Sequence, residues 1–186
     1  MKRILFNDEM VRALLAGNKT QTRRVVKPQP SIIADTSECP YKIGQRLWVA
    51  EAHTHHDDNF FAAEGGAHST SKVSYRSDGE AIKVNSTSVY GSDTYTPDRW
   101  TPSVHMDRND SRITLEVTDV RIERLMDISR GDAMAEGCPF PNLNGEEVGF
   151  TDPVKWYAFF NGIYQKKGFG TNPWVWVVEF KVLEGE

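Results

Sequence analysis

Within nine residues, Ala16-Gly17-Asn18-Lys19-Thr20-Gln21-Thr22-Arg23-Arg24 places an amine, two hydroxyls and two guanidinium groups just after a helix stop. If the chain is extended there, Thr20, Thr22 and Arg24 face one way and Gln21 and Arg23 the other. Lys19, at the corner where the backbone leaves the helix, is expected to reach the side of Thr22. A pocket lined by Lys, Thr and Arg offers donors for a carbonyl or phosphate oxygen, and a nucleophile. A surface strand after a helix carries the same residue types, so that reading stays open beside the chemical one.

Three other groups of residues can do chemistry. His53-x-His55-His56-Asp57-Asp58 puts two imidazoles at i, i+2 with carboxylates close by, which suits a metal if the segment is a strand. No second ligand cluster follows at the usual spacing, and Cys39 and Cys138 are solitary. The preferred reading is therefore a weak, adventitious metal patch or a plain polar loop, with no dedicated metal and no other cofactor. Glu51, after a buried-looking strand, is expected to pair with Arg23 or Arg24 or to contact a base edge. Trp48, Trp100 and Trp156 could stack a base. Core packing fits Trp48 and Trp156, and Trp100, beside Pro102, is the stacking candidate.

The elements that must position these groups are short. Ile4 to Phe6 reads as a strand, and Asn7 caps a helix with Asp8 and Glu9 in its first turn. Met10, Leu14 and Leu15 form its apolar stripe, and Gly17 ends it. Lys19 to Val26 reads as extended, stopped by Pro28 and Pro30. Leu47-Trp48-Val49 reads as a buried strand. From about 54 to 110 the chain is rich in Ser, Thr, Asp, Gly and His. It reads as a long insertion with one strand pair, Val73–Tyr75 against Ile82–Val84.

Ile113, Leu115 and Val117 alternate with polar residues, and a bulge is expected at Asp119 before Val120–Ile122. Ser129-x-x-Asp132 is a capping pair opening a short helix to Glu136, stopped by Gly137. Asp152-Pro153 opens another, with Trp156, Phe159, Phe160 and Ile163 on one stripe. Trp174, Trp176, Val178, Phe180 and Val182 give a closing strand one apolar face. The pattern predicts an α+β or barrel architecture.

Composition narrows the class. The 186 residues are 39% hydrophobic and 26% charged, a soluble globular balance. The longest apolar runs are strand length, so no membrane partner is expected. The apolar run after Lys2-Arg3 is too short for a signal peptide, and two cysteines suit a reducing compartment, so a cytoplasmic location is expected. Net charge is −4, which does not suit a long phosphate track. Residues 1–28 nevertheless hold seven basic residues against two acidic ones. A basic patch on an acidic body suits a local anionic ligand, or is a solvated face.

Gly17-x-Lys19-x-x-Thr22-x-Arg24 resembles the GxKxxTxR signature of the ASCH superfamily. Gly44-Gln45-Arg46-Leu47-Trp48-Val49-Ala50-Glu51, Trp100-Thr101-Pro102-Ser103-Val104-His105-Met106, Ser111-Arg112-Ile113 and 172–180 look like its longer, phage- and prophage-associated branch. The resemblance implies a single PUA-like β-barrel domain over residues 1–186, with a few short helices and an insertion at about 54–110. It also implies a cleft at the signature and a nucleoside or RNA partner. One group of small bacterial members hydrolyses the amide of N4-acylated cytidine with a Lys, a Thr and a downstream Glu, which match Lys19, Thr22 and Glu136.

On that pattern Lys19, desolvated near Arg24, would act as general base towards Thr22 or a water. Glu136 would pass a proton to the leaving amine, and Arg24 would hold the oxyanion. Arg24, Glu51 and Trp100 are the expected substrate-binding residues. Lys19→Ala is expected to abolish activity and leave the fold intact. A non-catalytic reader of modified RNA or DNA bases, and a ribonuclease, are the competing readings.

Overall fold

Asn7 starts the first helix because its side-chain oxygen accepts from the Met10 backbone N–H at 2.8 Å, satisfying a donor that a helix start leaves open. Helix α1 (Asp8–Leu15) carries Asp8 and Glu9 in its first turn, where the positive helix end favours acids. Its buried stripe is Val11 and Leu14, while Leu15 is exposed. The expected stripe was thus off by one position at each end. Gly17, at φ 74°, supplies the left-handed turn that ends the helix.

The computed structural model describes residues 1–30, 35–61, 67–79, 82–85, 92–95, 97–137 and 172–183. The helix expected from Asp152, with its Trp156 stripe, and Cys138 lie outside them. Strands β1 (Lys2–Leu5), β2 (Gln21–Val25), β3 (Arg46–Ala50), β8 (Thr114–Arg124) and β9 (Trp174–Leu183) make a five-stranded sheet in the order β1-β3-β8-β9-β2. Two hairpins come between β3 and β8: β4 (His53–Phe61) with β5 (Ala67–Tyr75), and β6 (Ile82–Asn85) with β7 (Ser92–Tyr95). The second helix, α2 (Arg130–Ala135), follows β8. The architecture is α+β, mostly sheet with few helices, and among the described residues no strand pairing closes the sheet into a barrel. None of the described helices is long and apolar enough to cross a membrane.

The hairpins correct the reading of the insertion. Tyr75 lies opposite His53, and Ile82 opposite Tyr95, so Val73–Tyr75 and Ile82–Val84 belong to different pairs. A strand made of His, Asp and Asn lacks the alternation and β-branched residues by which strands are recognised. For the same reason His53–His56 is strand rather than loop.

Two compact units make up the chain. The first holds Met1, Ala13–Leu47 and Thr114–Glu186, and the second Lys2–Arg12 and Trp48–Ile113. In the first, β2 and β8 both pair antiparallel with β9, with Arg23 opposite Val177 and Arg24 opposite Trp176. The bulge in β8 falls between Val117 and Asp119, as the break in alternation there predicts. The start of β9 is buried on both faces, because Val175 and Val177 pack with Leu125, Ile128 and Ala133. A strand with one apolar face was expected. The short helix α2 covers the second face, and Val182, beyond it, is exposed. In the second unit, Trp48, Ala50 and Met106 form a small core flanked by Tyr75.

Candidate functional site

In the first unit the chain turns at Gly17 so that the Asn18 and Lys19 amides donate back to the Ala13 carbonyl, at 2.8 and 3.1 Å. Lys19 then lies antiparallel to Glu136, the residue that caps α2. The other end of α2 is closed by a reciprocal box: the Ser129 side chain accepts from the Asp132 amide, and the Asp132 carboxylate from the Ser129 amide.

Lys19 and Glu136 meet here. The Lys19 ammonium donates to the Gln21 carbonyl at 2.9 Å, the Glu136 carbonyl at 2.8 Å and Glu136 Oε2 at 3.1 Å. The other Glu136 oxygen accepts from Arg23 Nη1 at 3.2 Å. The Lys19 and Arg23 side chains are fully buried and that of Glu136 is 3% exposed. From this pair the network runs outward. Arg23 Nη2 donates to Glu123 Oε2 at 3.2 Å, and Gln21 Nε2 to Asp132 Oδ1 at 3.1 Å. Arg121 bridges Asp132, Glu123 and Glu179.

Burial alone would raise the Asp132 carboxyl. Hydrogen bonds from Ser129 and Gln21 and the charge of Arg23 outweigh it, and the carboxyl lies below its usual value. Desolvation likewise works against the Arg121 guanidinium, and its carboxylate partners more than restore the charged form.

The placement differs from the expected one in which face of β2 carries Lys19. Its ammonium lies with Arg23 and Gln21, whose side chains share one face. Strand alternation sends Thr22 and Arg24 to the opposite face. Lys19 Nζ is thus surrounded by three oxygen acceptors, one of them a carboxylate. On the other face, Arg24, Lys27, Tyr41 and Trp176 line a cavity of about 570 Å³ with Pro28, Pro30 and Pro40. Thr22, beside them in β2, is buried.

Gly137 is where the two segments come closest. A Cβ there would lie 2.6 Å from Ala13 Cβ and 2.8 Å from Lys19 Cβ, at φ 77°. Gly17 has a similar φ of 74° but open space. Gly17→Ala is therefore expected to cost about 1 kcal/mol, for the left-handed backbone alone. Gly137→Ala should cost about 2–4 kcal/mol, because overpacking adds to it. Urea denaturation of the two variants checks the difference.

In the second unit Glu51, 1% exposed, is the centre of a separate cluster. Its Oε1 accepts from Arg112 Nε at 3.0 Å. Its Oε2 accepts from Arg112 Nη2 at 3.1 Å and Ser77 Oγ at 2.5 Å. Arg112 also binds both oxygens of Asp78 at 2.7 Å and lies 3.9 Å over the Tyr75 ring. Burial lowers the guanidinium and those carboxylates raise it, with a net rise. Burial likewise raises the Tyr75 phenol, which stays protonated and donates to the Asp110 carbonyl at 2.8 Å. Glu51 was expected to pair with Arg23 or Arg24, and Arg112 takes that place. Trp100 is half-buried beside Thr101, which bridges His53.

Sequence reasoning thus missed Arg23, Arg121, Ser77 and Arg112. Arg23 carried a signal, since it alternates with Arg24, but which face would be covered depends on α2.

No family model matches the chain, and no curated protein matches it. Among solved structures it is similar to protein EF3133 from Enterococcus faecalis V583, described under the family model DUF984. The TM-score is 0.48 at 12% identity, over 98% of this chain and 76% of that one.

Proposed function

We propose that the chain is an ASCH-type protein of PUA-like class that binds a nucleobase or nucleoside and hydrolyses an N4-acylated cytidine-type amide on it. The observation that carries this reading is the meeting of Lys19 and Glu136. These residues are 117 apart in sequence, yet Nζ lies 3.1 Å from the carboxylate. Amide hydrolysis needs a base for water and positive charge for the oxyanion. On this reading Lys19 acts as an ammonium and leaves the role of base to Glu136. Glu136 takes a proton from the attacking water, and Lys19 and Arg23 stabilise the oxyanion. As the C–N bond breaks, the proton passes to the departing amine, leaving a carboxylic acid and the free exocyclic amine.

A second reading, a non-catalytic reader of modified bases, is favoured by the full engagement of the Lys19 ammonium and by the cavity on the opposite face of β2. The test is incubation of purified protein with N4-acetylcytidine, followed by chromatography. Cytidine should form, and Glu136→Gln should slow its formation by about 10²–10⁴-fold, the usual loss of a general base. No conversion by folded protein overturns hydrolysis. Equilibrium dialysis with the same nucleoside then decides the reader, which requires binding that Arg24→Ala weakens.

A further inference from the structure

Strand β4 sets His53 and His55 two residues apart, so both imidazoles leave the same face. Their centroids are 5.5 Å apart, the rings edge to face at 83°. Asp110 ends a short 3-10 turn, Arg108–Asp110, and its Oδ1 lies 3.2 Å from His55 Nε2. Its carbonyl is held by the Tyr75 hydroxyl, from the residue opposite His53 in the hairpin. The three donor atoms all lie within 4.8 Å of one another.

We propose that His53, His55 and Asp110 form a binding site for a divalent cation of the zinc class. Two imidazoles and one carboxylate are a donor set that such borderline ions take, and three protein ligands leave a position for water. The tautomer of His53 fits. Its Nδ1 is 3.3 Å from the Glu51 carbonyl, which can only accept, so the tautomer with the hydrogen on Nδ1 satisfies that carbonyl and keeps the Nε2 lone pair for a metal. His53 is 2% exposed, which limits the rotamers it must give up on binding. The distances fit as well. Atoms each about 2.0–2.2 Å from zinc lie about 3.3 Å apart across a tetrahedral angle, and the His55–Asp110 gap is 3.2 Å. The widest gap must close by about 1–1.5 Å to reach that geometry. His55, with half its side chain exposed, can supply the movement and gives the ion a way in. The inference is independent of any nucleobase reading, since its residues all belong to the second unit.

The test uses the full chain without a histidine tag, stripped with a chelator, and titrated with zinc chloride in a calorimeter. One zinc per chain is expected in the micromolar range or tighter, and cobalt in its place should give visible d–d bands. His55→Ala and Asp110→Asn should each weaken zinc binding at least about tenfold and abolish the cobalt bands. Neither residue is in the buried core, so melting curves of the apo variants should match the parent. If either variant unfolds, His55→Gln replaces it. Absence of binding by the parent overturns the site. Binding that these substitutions leave unchanged does so too, since the ion then sits elsewhere.

Discussion

Arg112→Ala is expected to destabilise the protein by about 4 kcal/mol, and more than Glu51→Gln does, although the two changes cut the same ion pair. The asymmetry follows from exposure. Glu51 is 1% exposed and Arg112 27%. Without the guanidinium, a buried carboxylate keeps only the Ser77 hydroxyl, and an uncompensated buried charge is what makes a broken internal pair costly. The contact of Arg112 with the Tyr75 ring is lost as well. Glu51→Gln, by contrast, leaves Arg112 partly in water and still bound to Asp78, so a cost of about 1–2 kcal/mol is expected. Replacing both partners with apolar residues, Glu51→Leu with Arg112→Met, should recover most of the loss, since it removes both desolvation costs together. Urea unfolding of the four proteins checks this. Equal losses for the two single changes would mean that water reaches Glu51 and the pair acts as a surface one.

This cluster marks how far the sequence could be read. The local signals were legible because the physics that sets them is local. Asn7 caps α1, Ser129 and Asp132 cap α2, and Gly17 and Gly137 take the left-handed turns expected of them. Long-range pairing was not legible in the same way. Glu51 meets Arg112 across 61 residues, and nothing in a run of Ser, Thr and Asp singles out Ser77 as its second donor. One strand of each hairpin was legible, at Val73–Tyr75 in β5 and Ile82–Val84 in β6, but the His, Asn and Asp of β4 and the Ser and Asp of β7 hid their true partners. Glu136 was singled out through a family resemblance rather than from its spacing. Its partner Arg23 was set aside for Arg24, because alternation separates the two faces of a strand without saying which one a helix will cover.

Lys19 decides between chemistry and architecture, and its substitution is expected to have the other large effect on stability. Lys19→Ala should cost about 3–5 kcal/mol, contrary to the intact fold that the sequence suggested for it. Its ammonium has no exposed surface and satisfies two backbone carbonyls, of Gln21 and Glu136, besides the carboxylate. Truncation leaves all three oxygens short of a donor, and a cavity adds to the cost. Loss of activity in that variant would therefore say nothing about catalysis. Glu136→Gln is the informative change, because its amide oxygen can still accept from Lys19 and its shape is kept. A cost of about 3–4 kcal/mol is expected for it, since the buried Lys19 and Arg23 lose their shared carboxylate while no cavity forms. If Glu136→Gln stays folded and hydrolysis of N4-acetylcytidine collapses, the carboxylate takes part in the reaction and the buried cations serve its charge. If hydrolysis persists at the parental rate, the pair only joins the end of α1 to α2, and any chemistry must lie on the Thr22 and Arg24 face. Measuring melting midpoint and rate on the same preparations separates these outcomes, since a structural role moves the first and a catalytic role the second.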